Sequence, residues 1–178
     1  MKYIPNILTS FRIALIPFFV WQMLAGDTLA AGLILLISGI TDTLDGQLAR
    51  RFGWITDLGK ILDPIADKLT QTAVSICFII RFPQLWFFFA VLIAKDLVML
   101  TLGGYLTKGG VIIEGAKWFG KVATVVFYVV MILIVLIPSI PEWVTIGLLT
   151  LDVTCAVAAG LSYIPEFRQY KKERNSKE

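Results

Sequence analysis

The chain contains no histidine, and its two cysteines, Cys77 and Cys155, fall inside apolar stretches far from any other sulfur or nitrogen ligand. Zinc sites built from Cys and His are thereby excluded, and so is a disulfide framework. Charge is scarce: Asp, Glu, Lys and Arg together make up 16% of 178 residues. No Gly-rich nucleotide loop and no low-complexity tract interrupts the sequence, and no tandem repeat is present. A basic surface interleaved with aromatics is missing too, which argues against nucleic acid as a partner.

What remains is apolar. Hydrophobic residues reach 57% and mean hydropathy is +0.80, where a soluble domain averages about 45–50% even with glycine counted. A membrane-crossing helix needs about 20 mostly apolar residues. Six stretches qualify, near residues 7–25, 28–48, 62–82, 85–106, 118–137 and 143–163. The expected fold is an all-α integral membrane bundle of six transmembrane helices. Residues 1–166 form one domain and 167–178 a basic tail. Residues 1–12 carry Ile4, Ile7, Leu8 and Phe11 at helical spacing beside a polar stripe of Asn6, Thr9 and Arg12, which predicts a short interfacial helix ahead of the first span. Arg12 interrupts the first apolar run, so it does not read as a cleaved signal peptide.

If the spans alternate from a cytoplasmic N-terminus, 14 of the 16 Lys and Arg residues fall on the cytoplasmic side. This bias predicts both termini inside the cell. The basic tail is expected to rest against anionic lipid head groups, or simply to set topology. Lys95, Asp96 and Asp152 fall within spans, where they are expected to neutralise one another.

The acids are concentrated elsewhere. Asp42-x-x-Asp45-Gly46-x-x-Ala49-Arg50 is followed, after eight residues, by Gly59-x-x-x-Asp63-x-x-x-Asp67. Asp42 and Asp45 share a helix face, as do Asp63 and Asp67, while Gly46 and Ala49 leave room for a ligand. A polar linker over 50–59 is expected, with Pro64 in the first turn of the third span. Unpaired carboxylates are costly in a bilayer, so they are functional candidates. With no histidine available, they offer only hard oxygen ligands, which suit Mg²⁺, Mn²⁺ or Ca²⁺. Two helix ends presenting two acids each can share one or two divalent ions, the arrangement that clamps a phosphoryl displacement. Arg50 can offer a planar fork to a phosphate, and Lys117 and Lys121 can receive a second anion.

This ordered set resembles the signature of the CDP-alcohol phosphatidyltransferases, matching it at every specified position from Asp42 to Asp67. Pro5-Asn6-x-Leu8-Thr9-x-x-Arg12 and Gly120-Lys121-x-x-Thr124 extend the resemblance toward the phosphatidylglycerophosphate synthase and cardiolipin synthase branches. The resemblance implies transfer of a phosphatidyl group from CDP-diacylglycerol to an alcohol, with release of CMP. Asp42, Asp45, Asp63 and Asp67 would bind two Mg²⁺ or Mn²⁺ ions, and Asp67 would also be the general base. Asn6, Thr9, Gly46, Ala49, Arg50 and Gly59 would hold CDP-diacylglycerol; Lys95, Lys117, Lys121 and Thr124 would hold the acceptor. That acceptor is expected to be glycerol 3-phosphate, with phosphatidylglycerol, as in a cardiolipin synthase, the alternative. A homodimer among membrane lipids, with its active site on the cytoplasmic side, completes the expectation. One departure stands out: Lys95-Asp96 occupies the place of an Arg-Glu pair common in phosphatidylglycerophosphate synthases, and lysine cannot copy a bidentate arginine contact. A divalent-cation carrier would explain the acids but not Gly46, Ala49, Arg50 and the cytoplasmic lysines. A membrane prenyltransferase would lack the Asp-Gly-x-x-Ala-Arg element.

Overall fold

The structure is a computed structural model and describes residues 4–54, 57–108 and 118–162. These residues form α1 (Ile4–Ala25), α2 (Thr28–Phe52), α3 (Asp57–Arg81), a 3₁₀ turn (Pro83–Leu85), α4 (Trp86–Lys108), α5 (Trp118–Leu136) and α6 (Glu142–Leu161), with no strand among them. Five of the six helices are long and apolar enough to cross a membrane; α3 is as long but carries Asp63, Asp67 and Lys68 in its first half. The 167–178 tail lies outside the described residues.

Local signals explain the helix ends. Gly26 adopts φ +87°, a conformation with no Cβ penalty for glycine, and lets the chain reverse after α1. Asp27 then caps α2, its carboxylate accepting the Ala30 N–H at 2.9 Å. Gly53, at φ +65°, ends α2 in the same way. Pro141 precedes α6, where its missing N–H removes nothing.

Three boundaries differ from the sequence expectation. Residues 4–12 continue into the first apolar run as one helix rather than forming a separate interfacial element. The expected 50–59 linker is mostly helical, because α2 runs to Phe52 and α3 starts at Asp57. Pro64 therefore sits two turns inside α3 rather than at its start, where it removes one i→i−4 bond. Polar residues hid these extensions from a reading based on apolar runs.

The main packings close into a ring. α1 lies against α2 and α3, α2 against α5, α5 against α6, α6 against α4, and α4 against α3. Every helix contributes to the single core inside this ring, including Phe19, Leu35, Phe78, Phe89, Met131 and Leu149. Phe78 and Phe89 join α3 to α4 with ring centroids 5.2 Å apart. Glycines on α2 set its distance from α5: a Cβ on Gly32 would overlap Leu136, and one on Gly39 would stand 3.2 Å from the Tyr128 ring. Such close approach is the usual basis of helix association where lipid replaces water.

Polarity is inverted relative to a soluble bundle. Thr9, Arg12, Ser38, Asp45, Gln71, Ser75, Asp96 and Asp152 are buried, while Trp21, Leu29, Ile80, Phe87, Trp143 and Leu151 are exposed. An apolar exterior this extensive marks a lipid-facing surface. The chain is a multi-pass helical membrane protein.

Candidate active site

The start of α1, the last turns of α2 and the start of α3 meet at one end of the bundle. Since α1 packs on both α2 and α3, it brings their acids within reach of one another. Thr9 is fully buried, and its hydroxyl lies 2.7 Å from Asp63 Oδ1 on α3 and 3.3 Å from Asp45 Oδ2 on α2. The Pro5 carbonyl on its own helix lies 3.0 Å away. One hydroxyl proton serves three acceptors, and the short charged contact to Asp63 is the strongest of them.

One turn further on, Arg12 is also fully buried. Its Nη1 donates to Asp42 Oδ1 and its Nη2 to Asp45 Oδ2. Three of the four motif carboxylates are thus tied to α1. Their donor set is made of hard oxygens, which fits Mg²⁺ or Mn²⁺. Among the described residues, no three acidic side chains stand in an arrangement that would hold an ion as it is; a guanidinium lies between Asp42 and Asp45 instead.

The fourth acid, Asp67, is held from other directions. Its Oδ1 accepts from Gln71 Nε2 at 2.8 Å, and its Oδ2 lies 3.2 Å from Lys68 Nζ. Lys68 also reaches Asp96 on α4 at 2.9 Å, and Lys95 reaches Asp96 at 2.6 Å. A chain of alternating charge therefore runs from Asp67 into α4. The expected grouping of Lys95, Asp96 and Asp152 takes a particular form: Asp96 takes both lysines in direct ion pairs, while the buried Asp152 lies within electrostatic reach of Lys95 and Asp96 but neither of its oxygens has a hydrogen-bond partner.

The other expected residues divide into groups. Asn6 is half-buried on the Thr9 face of α1, Gly46 is half-buried beyond Asp45, and Gly59 is buried at the start of α3. Ala49 and Arg50 lie on α2, but their side chains lie outside the described residues, as does Lys117. Lys121 is exposed on α5, and the Thr124 hydroxyl bonds back to the Gly120 carbonyl at 3.1 Å. The structure gathers Thr9, Asp42, Asp45 and Asp63, and it brings Lys95 toward Asp67 through Asp96.

Three participants were not singled out by sequence: Arg12 as the partner of Asp42 and Asp45, Lys68 as the link to α4, and Tyr128. The Tyr128 ring packs on Gly39, and its hydroxyl faces Ser38 within electrostatic reach of Asp42, Asp67 and Arg12. A lone tyrosine in the apolar run of α5 was the available signal, because a buried hydroxyl needs a polar neighbour.

Residues 2–158 match the family model described as CDP-alcohol phosphatidyltransferase. A Streptomyces coelicolor protein named cardiolipin synthase (CMP-forming) is 39% identical over 129 residues, covering 68% of this chain and 59% of that protein. A Shigella flexneri protein named CDP-diacylglycerol–glycerol-3-phosphate 3-phosphatidyltransferase is 31% identical over 172 residues, 93% of this chain and 94% of its own length. An Escherichia coli K12 protein of the same name is 35% identical over 127 residues, covering 68% of this chain and 70% of that protein. With the family model spanning most of the chain and Asp42, Asp45 and Asp63 gathered on α1 at one end of the bundle, the chain belongs to the CDP-alcohol phosphatidyltransferase family.

Proposed function

We propose that this protein transfers the phosphatidyl group of CDP-diacylglycerol to glycerol 3-phosphate, giving phosphatidylglycerophosphate and CMP. The observation that carries it is the convergence of Asp42, Asp45 and Asp63 on Thr9 and Arg12, in a chain whose full-length relative is named for this reaction. Bound Mg²⁺ or Mn²⁺, two ions in this reading, would supply charge neutralisation to the donor pyrophosphate, held by Asp42, Asp45, Asp63 and Asp67.

The protein's own groups do the rest. Asn6, Thr9, Gly46, Ala49, Arg50 and Gly59 seat the CDP moiety. Asp67 takes the proton of the acceptor hydroxyl as that oxygen forms its bond to the phosphatidyl phosphorus, and the bond to CMP breaks. Gln71 and Lys68 fix the orientation of Asp67, which matters because proton transfer demands hydrogen-bond geometry. Lys117, Lys121 and Thr124 receive the acceptor phosphate. Lys95 acts through Asp96 and Lys68, which join it to Asp67.

The reading includes six spans, with α3 crossing as an inner helix whose Thr70, Gln71 and Ser75 are buried. It puts the carboxylates at the cytoplasmic face, a reading supported by the Lys and Arg bias. A homodimer belongs to it as well, to be tested by cross-linking in native membranes.

The second reading, a cardiolipin synthase, is favoured by the Streptomyces relative and by Lys95-Asp96 in place of Arg-Glu. Purified protein offered CDP-diacylglycerol with each acceptor in turn separates them. A phosphomonoester on the glycerol head group supports the first reading, and a four-chain lipid supports the second. Neither product, with no CMP released, would refute both.

A further inference from the structure

The proposed chemistry assigns no role to Arg12, the largest fully buried side chain among the described residues. We infer that Arg12 is an internal counter-ion: it closes the carboxylate cluster in the metal-free protein and vacates it when a divalent ion binds. The inference rests on the metal-dependent reading above. Asp42, Asp45 and Asp63 lie close together at a buried helix junction, where like charges repel strongly unless a cation offsets them. The Arg12 fork does this, with one nitrogen on Asp42 and one on Asp45. In doing so it holds one oxygen of each acid, and a divalent ion drawing ligands from both needs those acids turned toward it.

The fit of the guanidinium is incomplete. Arg12 Nε has no hydrogen-bond partner although it is buried, and an unsatisfied buried donor is costly. A doubly charged ion that takes the same carboxylates removes the need for this arrangement. Thr9 holds Asp63 independently of the guanidinium, so release of Asp42 and Asp45 by Arg12 leaves that contact in place. The competing arrangement, in which Arg12 pre-sets the acids for the metal, predicts the opposite result on removal.

The test uses full-length protein purified in detergent and stripped with chelator. Free Mn²⁺ is followed by electron paramagnetic resonance, and thermal unfolding is recorded with and without Mn²⁺. Arg12→Ala is expected to bind Mn²⁺ about 10-fold or more tightly than wild type, because the metal no longer displaces two charge-assisted bonds. Its metal-free melting temperature should fall, and its Mn²⁺-induced rise should exceed that of wild type, as mass action requires. Arg12→Lys, a point charge that cannot fork both acids, should lie between. Arg12→Ala binding Mn²⁺ no more tightly than wild type overturns the inference. If Arg12→Ala does not fold, Arg12→Lys decides alone: tighter binding than wild type supports the inference, and equal or weaker binding overturns it. Wild type that binds no Mn²⁺ and turns over in excess chelator removes the metal reading itself, and this inference with it.

Discussion

Thr9 offers the sharpest test of how the site is held together. Thr9→Val keeps the shape of the side chain and removes only the hydroxyl, a change that is isosteric but not chemically conservative. The hydroxyl stands 2.7 Å from Asp63 Oδ1 in a fully buried position. A hydrogen bond to a charged group is worth about 1.5–3 kcal/mol, which corresponds to roughly 10–150-fold in an equilibrium constant. The loss falls on the orientation of Asp63, because among the described residues this hydroxyl is the group of α1 that holds it. If Asp63 is a metal ligand, Thr9 is its outer-shell partner, and removal of such a partner typically weakens metal affinity or activity by about 10–100-fold. The assay is a Mn²⁺ titration of CMP release, with melting temperature measured in parallel. Thr9→Val should need about 10-fold or more Mn²⁺ for half-maximal rate, and Thr9→Ser should restore most of the difference. Thr9→Val with an unchanged Mn²⁺ requirement would refute the reasoning. So would a Thr9→Ser variant as impaired as Thr9→Val, which would mean that the methyl packing matters and the hydroxyl does not.

Asp67→Asn keeps an oxygen for Gln71 to donate to and should lower kcat by about 10²–10⁴-fold while CDP-diacylglycerol binding is largely retained; a matching loss of binding would make Asp67 chiefly a ligand. Asp96→Ala removes the carboxylate that Lys68 and Lys95 share; Lys68 keeps Asp67 while Lys95 loses its direct ion pair, so stability should fall by up to about 3–5 kcal/mol, the cost of breaking a buried pair. Asp152→Leu, by contrast, removes a buried carboxyl that has no hydrogen-bond partner and should leave the melting temperature unchanged or raised, which differential scanning fluorimetry in detergent can read. Gly39→Leu places a side chain where even a Cβ meets the Tyr128 ring at 3.2 Å, so it should separate α2 from α5 and lower both melting temperature and rate. For topology, an impermeant thiol reagent applied to intact cells should label a cysteine placed at Ser139 and miss one placed at Asn175; the reverse labelling would invert the proposed orientation.

Much of this architecture was legible in the chain, for physical reasons. Long runs without charge can only be satisfied as helices in lipid, so the helices expected from apolar runs are all present. The acids stood out because they break those runs. Where the runs turn polar the boundaries were misjudged: α2 and α3 extend through Arg51 and Lys60 because helix propensity does not require apolarity. Long-range pairing was the other limit. The partners of Arg12 lie 30 and 33 positions away, and no local pattern specifies which carboxylate a buried guanidinium will meet. The order of helices around the ring is likewise a tertiary property. It decides that Tyr128 faces the acids and that Asp152 is left without a hydrogen-bond partner.

That ring order also bears on the acceptor. The donor half of the site is drawn from α1, α2 and α3, which meet through Thr9 and Arg12. Relatives named for two different activities match this chain; in the proposed reaction the features that distinguish acceptors lie where the attacking hydroxyl would arrive, beside Asp67. The residue that meets Asp67 from its own helix is Lys68, and the residue that holds Lys68 from across the ring is Asp96 on α4. Lys95 shares the same carboxylate. The α4 pair is therefore coupled to the proposed base without touching the donor half. An Arg-Glu pair at this place would present a fork and a longer acid; Lys95-Asp96 presents a point charge and a shorter one. The contact between Lys68 and Asp67 is thus held from α4, and in the proposed reaction it is the route by which a change at Lys95-Asp96 would reach Asp67.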